Sequence, residues 1–288
     1  MKWTIPAKTF LLGEYAALEG ASALLAATSP CFELTIAQQP TAAIHPESPA
    51  GRWWDKQHLN NYALFFKDPY QGCGGLGASS AQFIGAYLAS TYLKQEQPSL
   101  KAMLEAYYEC AWNGQGARPS GYDVIAQTQY GCVFVNKDKI QIHSYAWNFN
   151  DLSFQLIHTG IKLATHHHLQ EINLNIPTDE LSAIVDKAKH AFEQNNSLLF
   201  IESINAYHHE LNRLNLVAHH SLELIEEFRS YPEVLAVKGC GALGADIILI
   251  ICLKNQVASL KMKLLRLNKK ILASEINLTQ KSNKLLNN

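Results

Sequence analysis

The sequence predicts an α+β fold, in which strands and helices mix without the regular βαβ repeat of a doubly wound sheet. Short stretches rich in β-branched and aromatic residues alternate with longer stretches whose apolar residues recur at helical spacing. The 288 residues exceed the usual size of one core, so we expect one large domain or two closely joined ones. Apolar residues make up 48% of the chain and charged residues 17%, which is typical of a globular protein.

The first half of the chain begins with strands and continues with helices. The polar stretch 38–61 contains Pro40, Pro46, Pro49 and Gly51, so we expect a long loop with little regular structure. The other elements predicted for this half are strands at 3–5, 9–12, 31–37, 131–135 and 139–143, helices at 78–94 and 99–113, and a loop at 114–123.

The helix over 78–94 is predicted because Ala81, Ile84, Leu88 and Tyr92 fall on one face. The second half shows the same helical periodicity three times in succession, followed by strands. Its predicted elements are a strand at 152–157, helices at 178–194, 197–213 and 217–229, strands at 234–239 and 246–253, a helix at 255–266 and a strand at 271–278. We expect the tail from Thr279 onward to be frayed.

Charge and targeting signals narrow the function classes. The net charge of −1 and the isoelectric point near 6.9 argue against a nucleic-acid partner, which would require a basic face. The N-terminus lacks the apolar region of a signal peptide, and no apolar run approaches the length of a membrane span. The six cysteines are far apart and form no C-x-x-C pair, so we expect reduced thiols in a cytoplasmic protein with no membrane partner.

Two segments contain the spacing G-x-G-x-x-G, which often surrounds a phosphate. The first, "GCGGLGASSA" at 72–81, precedes the predicted helix, whose N-terminal amides and dipole would stabilise an anion. A dinucleotide-binding site would require a strand that runs directly into the loop. Here "KDPYQ" at 67–71 separates the preceding apolar run from the loop. The G-x-x-x-x-G-K-[ST] pattern of ATPase phosphate loops is absent.

The second glycine-rich segment, "GCGALGAD" at 239–246, precedes a strand-like run instead of a helix. A dinucleotide fingerprint requires a helix after the glycines, so this segment is not predicted to be a dinucleotide-binding site. Two interpretations stay open: a tight turn between paired strands, or a loop that abuts the site built by the first segment.

Together, three segments resemble the three motifs of the GHMP kinase superfamily. "PAKTFLLGEYAALEG" at 6–20 resembles P-G-K-x-x-L-x-G-E-[HY], and "GGLGASSA" at 74–81 resembles the G-L-G-S-S-A loop that wraps the ATP triphosphate. "KGCGALGAD" at 238–246 resembles the third, glycine-rich motif. Their order and spacing match the superfamily. The resemblance implies a two-lobed α+β fold, with an N-terminal lobe like ribosomal protein S5 over 1–150 and a ferredoxin-like C-terminal lobe over 151–288.

Within the superfamily, three features of the sequence resemble the phosphomevalonate kinases in particular. These are "GEYAALEG" in the first motif, "GQGARPSGYDV" at 114–124, and Asp246 at the end of the third. The resemblance therefore implies ATP- and Mg²⁺-dependent phosphorylation of mevalonate 5-phosphate to the diphosphate, on the route to isoprenoids. Mevalonate kinase is the close alternative, and diphosphomevalonate decarboxylase is a minor one because its S-G-S-A-x-R segment is missing.

The resemblance also assigns roles to residues. It implies that Lys8 and Asp123 are catalytic, with Lys8 between the acceptor and the γ-phosphate, and that the Ser79 hydroxyl lies on the Mg²⁺ side. The implied ATP-binding residues are Gly74, Gly75, Leu76, Gly77, Ala78, Ser79 and Ser80. The implied acceptor-binding residues are Glu14, Tyr15, Arg118, Ser120, Gly121, Lys162, Thr165, Gly241, Ala242, Gly244 and Asp246.

Two positions depart from the superfamily pattern, since Ala7 and Leu243 stand where it has glycine. A β-carbon at a position that needs a positive φ costs about 1–2 kcal/mol. A non-catalytic relative that binds a ligand without transferring phosphate is therefore the alternative of a different class. The histidine runs at 166–168, 208–209 and 219–220 do not have the i, i+3 or i, i+4 spacing of helical metal ligands.

Overall fold

The computed structural model describes residues 1–38, 44–59, 61–161 and 177–286. Across these residues the chain forms two antiparallel sheets covered by helices. The strands are β1 (Lys2–Leu12), β2 (Ala23–Ala37), β3 (Ala63–Lys67), β4 (Cys132–Asn136), β5 (Gln141–Tyr145), β6 (Leu152–His158), β7 (Val234–Cys240), β8 (Ile247–Leu253) and β9 (Ile271–Ser274). The helices are α1 (Pro49–Lys56), α2 (Ala78–Lys94), α3 (Leu100–Ala111), α4 (Tyr122–Gln127), α5 (Thr178–Gln194), α6 (Ser197–Arg213), α7 (His219–Arg229) and α8 (Val257–Arg266).

The first sheet is organised around the long strand β2. This strand has 15 residues, and residues 24–28 and 32–35 of it pair with β1 along one edge. Along the other edge, residues 33–37 pair with β3 and residues 23–26 pair with β4, which in turn pairs with β5. One strand can serve two partners because it is about three times the length of either partner. The arrangement places Lys8 in the middle of β1.

The second sheet has the strand order β7-β8-β6-β9. Its central strand β8 is buried on both faces, which explains its nearly continuous run of apolar residues. Ile247, Leu249 and Ile251 face a core shared with α5 and α6, whereas Ile248 and Ile250 face a second core shared with α7 and α8. The period of two residues therefore divides one strand between two helical layers.

The largest apolar cluster contains residues of both sheets and of α2, α5 and α6. The strands of the first sheet end at Tyr145 and those of the second begin at Leu152. The domain boundary near residue 150 stays a prediction, because this shared core crosses it. None of the described helices has both the length and the apolar content needed to span a lipid bilayer.

Two sequence predictions about irregular structure were wrong. The stretch predicted as a loop contains α1, since Pro49 occupies the first helical turn, where proline is tolerated, and the Ser48 hydroxyl caps Gly51 N–H at 3.1 Å. The tail does not fray through residue 286. Thr279 N–H donates to Ala27 O at 2.9 Å, and Leu285 N–H donates to Thr128 O at 3.1 Å. Those partners are remote in sequence, so local composition carried no sign of them.

Candidate active site

The first glycine-rich loop ends at the N-terminus of α2. Gly77 is the residue before the helix and has a φ of 80°, in the left-handed region that favours glycine. A β-carbon at Gly77 would lie 2.9 Å from Cγ of Lys8 and 3.0 Å from Nε2 of Gln127. Only glycine fits, so the loop, strand β1 and helix α4 come together at this point. The first amides of the 17-residue helix α2 face the same loop, where the helix dipole favours an anion.

The two serines of the first helical turn have different environments. Ser79 is exposed, and its hydroxyl is available to a ligand. Ser80 is 2% exposed, and its hydroxyl donates to Gln127 Oε1 at 2.6 Å. The sequence could not separate these neighbours, because both are preferred at a helix start.

Lys8 and Asp123 form an ion pair beside the loop, with Nζ and Oδ2 3.1 Å apart. The Lys8 side chain is 9% exposed and that of Asp123 30% exposed. Lys8 N–H also donates to Leu76 O at 3.0 Å, which ties β1 to the loop backbone. A nearly buried ammonium group and a partly exposed carboxylate therefore lie next to the N-terminus of α2.

Gln127 is a residue of this site that sequence reasoning missed. It lies one turn after Asp123 on α4 and is fully buried. Its Nε2 donates to Pro6 O at 2.7 Å and to Gly77 O at 3.1 Å, and its Oε1 accepts from Ser80. One amide side chain thus joins three elements of the site. Its only sequence signal is its spacing of four residues from Asp123 on the same helix.

The second glycine-rich loop connects the paired strands β7 and β8 and meets the first loop. A β-carbon at Gly74 would lie 2.7 Å from both carboxylate oxygens of Asp246, and one at Gly75 would lie 2.8 Å from Ile247. The two interpretations left open by the sequence are therefore both correct: the segment is a turn between strands, and it abuts the first loop. The hydroxyl of Thr159, the residue directly after β6, donates to Ala245 O in this second loop at 2.6 Å.

The end of the first motif holds this second loop through a buried ion pair. Lys238 Nζ donates to Glu14 Oε1 at 2.5 Å, and their side chains are 0% and 3% exposed. Glu14 Oε1 also accepts from Gly241 N–H at 3.2 Å. Burial alone would lower the pKa of Lys238, but Cys240 and the Glu14 carboxylate raise it above its ordinary value. The lysine is charged at neutral pH.

Tyr15 makes a second connection between the same segments. Its hydroxyl accepts from Leu243 N–H at 2.8 Å. Burial raises the pKa of Tyr15 to about 12, with a smaller contribution from Glu14, so the phenol stays protonated. Glu14 and Tyr15 are 4% and 5% exposed. Both are therefore part of the protein interior that supports the loop.

The two departures from the superfamily pattern differ in their consequences. Ala7 lies in extended backbone within β1 and is not among the residues with positive φ, so a β-carbon there is unstrained. Leu243 has a φ of 53° and a ψ of 13°, in the left-handed region. Hydrogen bonds hold both sides of it, from Leu243 N–H to Tyr15 and from Ala218 N–H to Leu243 O at 2.9 Å.

The segment before Asp123 forms a cluster around Tyr108. The Arg118 guanidinium lies 3.8 Å from the centre of the Tyr108 ring and is exposed. Ser120 O accepts from Tyr108 Oη at 2.9 Å and from Lys137 Nζ at 2.7 Å. Gly121, with a φ of 75°, directly precedes α4. These contacts fix the backbone that leads into Asp123 and leave the guanidinium open to solvent.

Lys162, Thr165 and the histidine run at 166–168 lie outside the described residues. Within the described part of the chain, no group of three or more His, Cys, Asp or Glu side chains is arranged to hold a metal ion.

Comparison with known proteins identifies the fold. No protein-family model matches the chain, and no curated protein matches it in sequence. Solved structures do match: Streptococcus pneumoniae phosphomevalonate kinase with phosphomevalonate and AMPPNP has 17% identity, with a TM-score of 0.76 over 95% of this chain and 99% of that one. Methanococcus jannaschii mevalonate kinase has 16% identity and a TM-score of 0.72 over 95% and 97%. Lactococcus lactis galactokinase has 11% identity and a TM-score of 0.75 over 97% and 94%.

The structural neighbours are thus GHMP kinases, and the chain has the GHMP kinase fold. The resemblance to this superfamily and the predicted fold class, both drawn from the sequence, are confirmed at the level of the fold.

Proposed function

We propose that the protein transfers the γ-phosphoryl group of ATP to mevalonate 5-phosphate, forming the diphosphate. The observation that carries this proposal is the ion pair between Lys8 and Asp123, held against the left-handed Gly77 at the start of α2. The structurally similar phosphomevalonate kinase is described in complex with phosphomevalonate and AMPPNP, which supports the choice of both substrates.

Phosphoryl transfer depends mainly on positioning and on neutralising charge. In the proposed site, the amides of residues 74–80 bind the triphosphate of ATP. The Lys8 ammonium, nearly buried and therefore weakly screened, stabilises the negative charge that develops on the transferred group. Asp123 holds this ammonium in place and orients the acceptor. Hydrogen bonds from Gln127 hold β1 and the loop against α4.

The donor set suits Mg²⁺ bound together with nucleotide phosphates. Oxygen ligands are what this ion prefers, and the exposed Ser79 hydroxyl and the partly exposed Asp123 carboxylate are the candidates to hold it. When bound, Mg²⁺ neutralises phosphate charge. Ser80 is not assigned this role, because its side chain is buried at 2% exposure and its hydroxyl donates to Gln127 Oε1.

On the acceptor side, we assign contacts with the substrate to Arg118, Lys162 and Thr165, and to the loop residues Gly241, Ala242, Gly244 and Asp246. Arg118 is exposed and can offer two parallel N–H groups to a phosphate. Ser120 and Gly121 position the start of α4. Glu14 and Tyr15 act from the interior by holding the loop at 241–244, because neither is exposed enough to reach a substrate.

The acceptor determines which catalytic residue matters more. A phosphomonoester has a second pKa near 6 and is largely ionised at pH 7, so it needs little help from a base. With mevalonate 5-phosphate as acceptor, loss of Lys8 should therefore be more damaging than loss of Asp123. With unphosphorylated mevalonate, whose hydroxyl must lose a proton, Asp123 should be at least as important.

Mevalonate kinase is the second candidate, because an L. major mevalonate kinase matches with a TM-score of 0.74 over 98% of this chain. A coupled assay of ADP release with mevalonate, mevalonate 5-phosphate, homoserine and galactose separates the candidates. Release with the 5-phosphate alone supports the proposal, and release with mevalonate alone transfers the assignment to mevalonate kinase. No release with any acceptor, together with a rise in melting temperature with Mg-ATP, indicates a binding protein.

The site itself is tested by Lys8→Met, which should lower kcat at least about 100-fold. Lys2→Met is the matched control on the same strand, because the Lys2 side chain is 55% exposed and its ion-pair partner among the described residues is Glu33 at the surface. Its activity should equal that of the wild type. Equal activity in both variants would contradict the assignment of Lys8.

A further inference from the structure

A cavity of about 510 Å³ lies between α6, the end of α7 and strand β7. It is separate from the candidate active site, since none of the residues assigned to that site lines it. β7 is an edge strand of its sheet, so the cavity runs beside backbone that has a neighbouring strand on one side only. The volume falls within the range typical of small-molecule sites.

His208 on α6 forms part of the cavity wall and has an unpartnered atom. The residue is 4% exposed, and its Nδ1 is buried without a hydrogen-bond partner among the described residues. Buried polar atoms in proteins are nearly always paired, so this nitrogen needs a hydrogen-bond partner, which an ordered water molecule or a ligand atom can supply. Burial, and then the charges of Arg229, Lys238 and His209, lower the pKa of His208 to about 4. The ring is therefore neutral at pH 7 and has one N–H to donate.

The other polar groups on the wall favour a negatively charged ligand. Arg229 and His209 line the cavity together with the amides of Asn205 and Asn212, and no carboxylate is found among the described lining residues. Arg229 has a surface partner, Glu226 Oε1, at 2.6 Å from Nη1. A guanidinium has five N–H donors, so this single bond leaves others for a ligand.

The remaining wall is apolar and consists of residues such as Val234, Leu235 and Val237 of β7. We propose that the cavity binds a small organic anion: a carboxylate or phosphate group that contacts Arg229 and His208, carrying a short apolar chain that packs on β7. The proposal does not depend on the proposed kinase activity, because binding is measured without ATP.

The probe is n-butyl phosphate, titrated into the full-length protein by calorimetry, with pentanoate as the carboxylate counterpart. We expect saturable 1:1 binding of at least one of them, and movement of the His208 and His209 imidazole signals in NMR spectra. Arg229→Gln should raise Kd at least tenfold. Arg266→Gln should leave it unchanged, since Arg266 is an exposed arginine on α8 outside the cavity.

Several outcomes would overturn the proposal. If n-butanol binds with the same affinity as n-butyl phosphate, the negative charge does not contribute to binding. If inorganic phosphate binds with that affinity, the apolar wall does not contribute. Loss of binding in Ser79→Ala, or in the presence of saturating Mg-AMPPNP, would place the ligand at the glycine-rich loop instead. If Arg229→Gln does not fold, the NMR titration of the wild-type protein decides instead: imidazole signals of His208 and His209 that do not move at saturation would contradict the site.

Discussion

Removing the Lys238 ammonium should destabilise the protein far more than removing a surface lysine. In Lys238→Met, the Glu14 carboxylate stays buried at 3% exposure, and the hydrogen bond that it keeps within the described part of the chain comes from Gly241 N–H. Its other oxygen, Oε2, already has no partner among the described residues. The variant therefore leaves a buried negative charge without the positive charge that neutralised it.

The magnitude follows from this burial. Breaking a buried ion pair by removing one partner typically costs about 3–5 kcal/mol. Methionine fills nearly the same volume as the lysine stem, so little of the cost comes from a cavity. The double variant Glu14→Gln/Lys238→Met removes both charges and should be more stable than Lys238→Met alone, because the uncompensated charge is gone.

The assay is equilibrium unfolding in guanidinium chloride at pH 7, followed by circular dichroism. Lys56→Met is the matched control. Lys56 also forms an ion pair with a glutamate, Glu109, at 3.2 Å. Unlike Lys238 and Glu14, these two side chains are 50% and 65% exposed. An exposed pair contributes about 0–1 kcal/mol, so this variant should be close to the wild type.

Two results would refute this reasoning. One is a loss in Lys238→Met no larger than that in Lys56→Met. The other is a double variant that is less stable than Lys238→Met, which would mean that the Glu14 carboxylate is not the source of the cost.

Three further predictions concern other residues. Ser79→Ala should lower turnover with little effect on stability, whereas Ser80→Ala should cost about 1–3 kcal/mol of stability because Gln127 Oε1 loses its donor; activity assays and unfolding curves separate the two. Leu243→Gly should cost about 1–2 kcal/mol less than Leu214→Gly, because Leu243 is left-handed and Leu214 has a φ of −85°; equal losses in melting experiments would contradict this. Between pH 6.5 and 4 the unfolded chain binds a proton at position 208 that the native protein does not, so stability should fall by about 1–2 kcal/mol from pH 7 to pH 5. His208→Phe should flatten that part of the profile, and an unchanged slope would rule His208 out as its cause.

The helices were predicted from sequence better than the loops. The predicted range 78–94 coincides with α2, and the ranges 178–194 and 197–213 coincide with α5 and α6. Long amphipathic helices can be recognised from the sequence because their apolar residues recur at helical spacing. Strand β3 and helix α1 were missed because each is short and lies near prolines or polar residues.

The candidate site was predictable only in outline. The glycine spacing indicates an anion-binding loop because it is a local backbone property. The choice between Ser79 and Ser80 and the role of Gln127 depend on contacts with residues 47 to 121 positions away. No local pattern reports such contacts, because they are formed only when the chain is folded.

By itself, the sequence determined the fold class, most helices and the three motifs, since periodicity and glycine placement act through nearby residues. Only the tertiary structure decided which charges meet. Lys8 meets Asp123 at a loop that neither residue belongs to, and Lys238 meets Glu14 across 224 positions. The physical reason is that a charge is buried only where the packed chain supplies its partner, and that partner is chosen by topology.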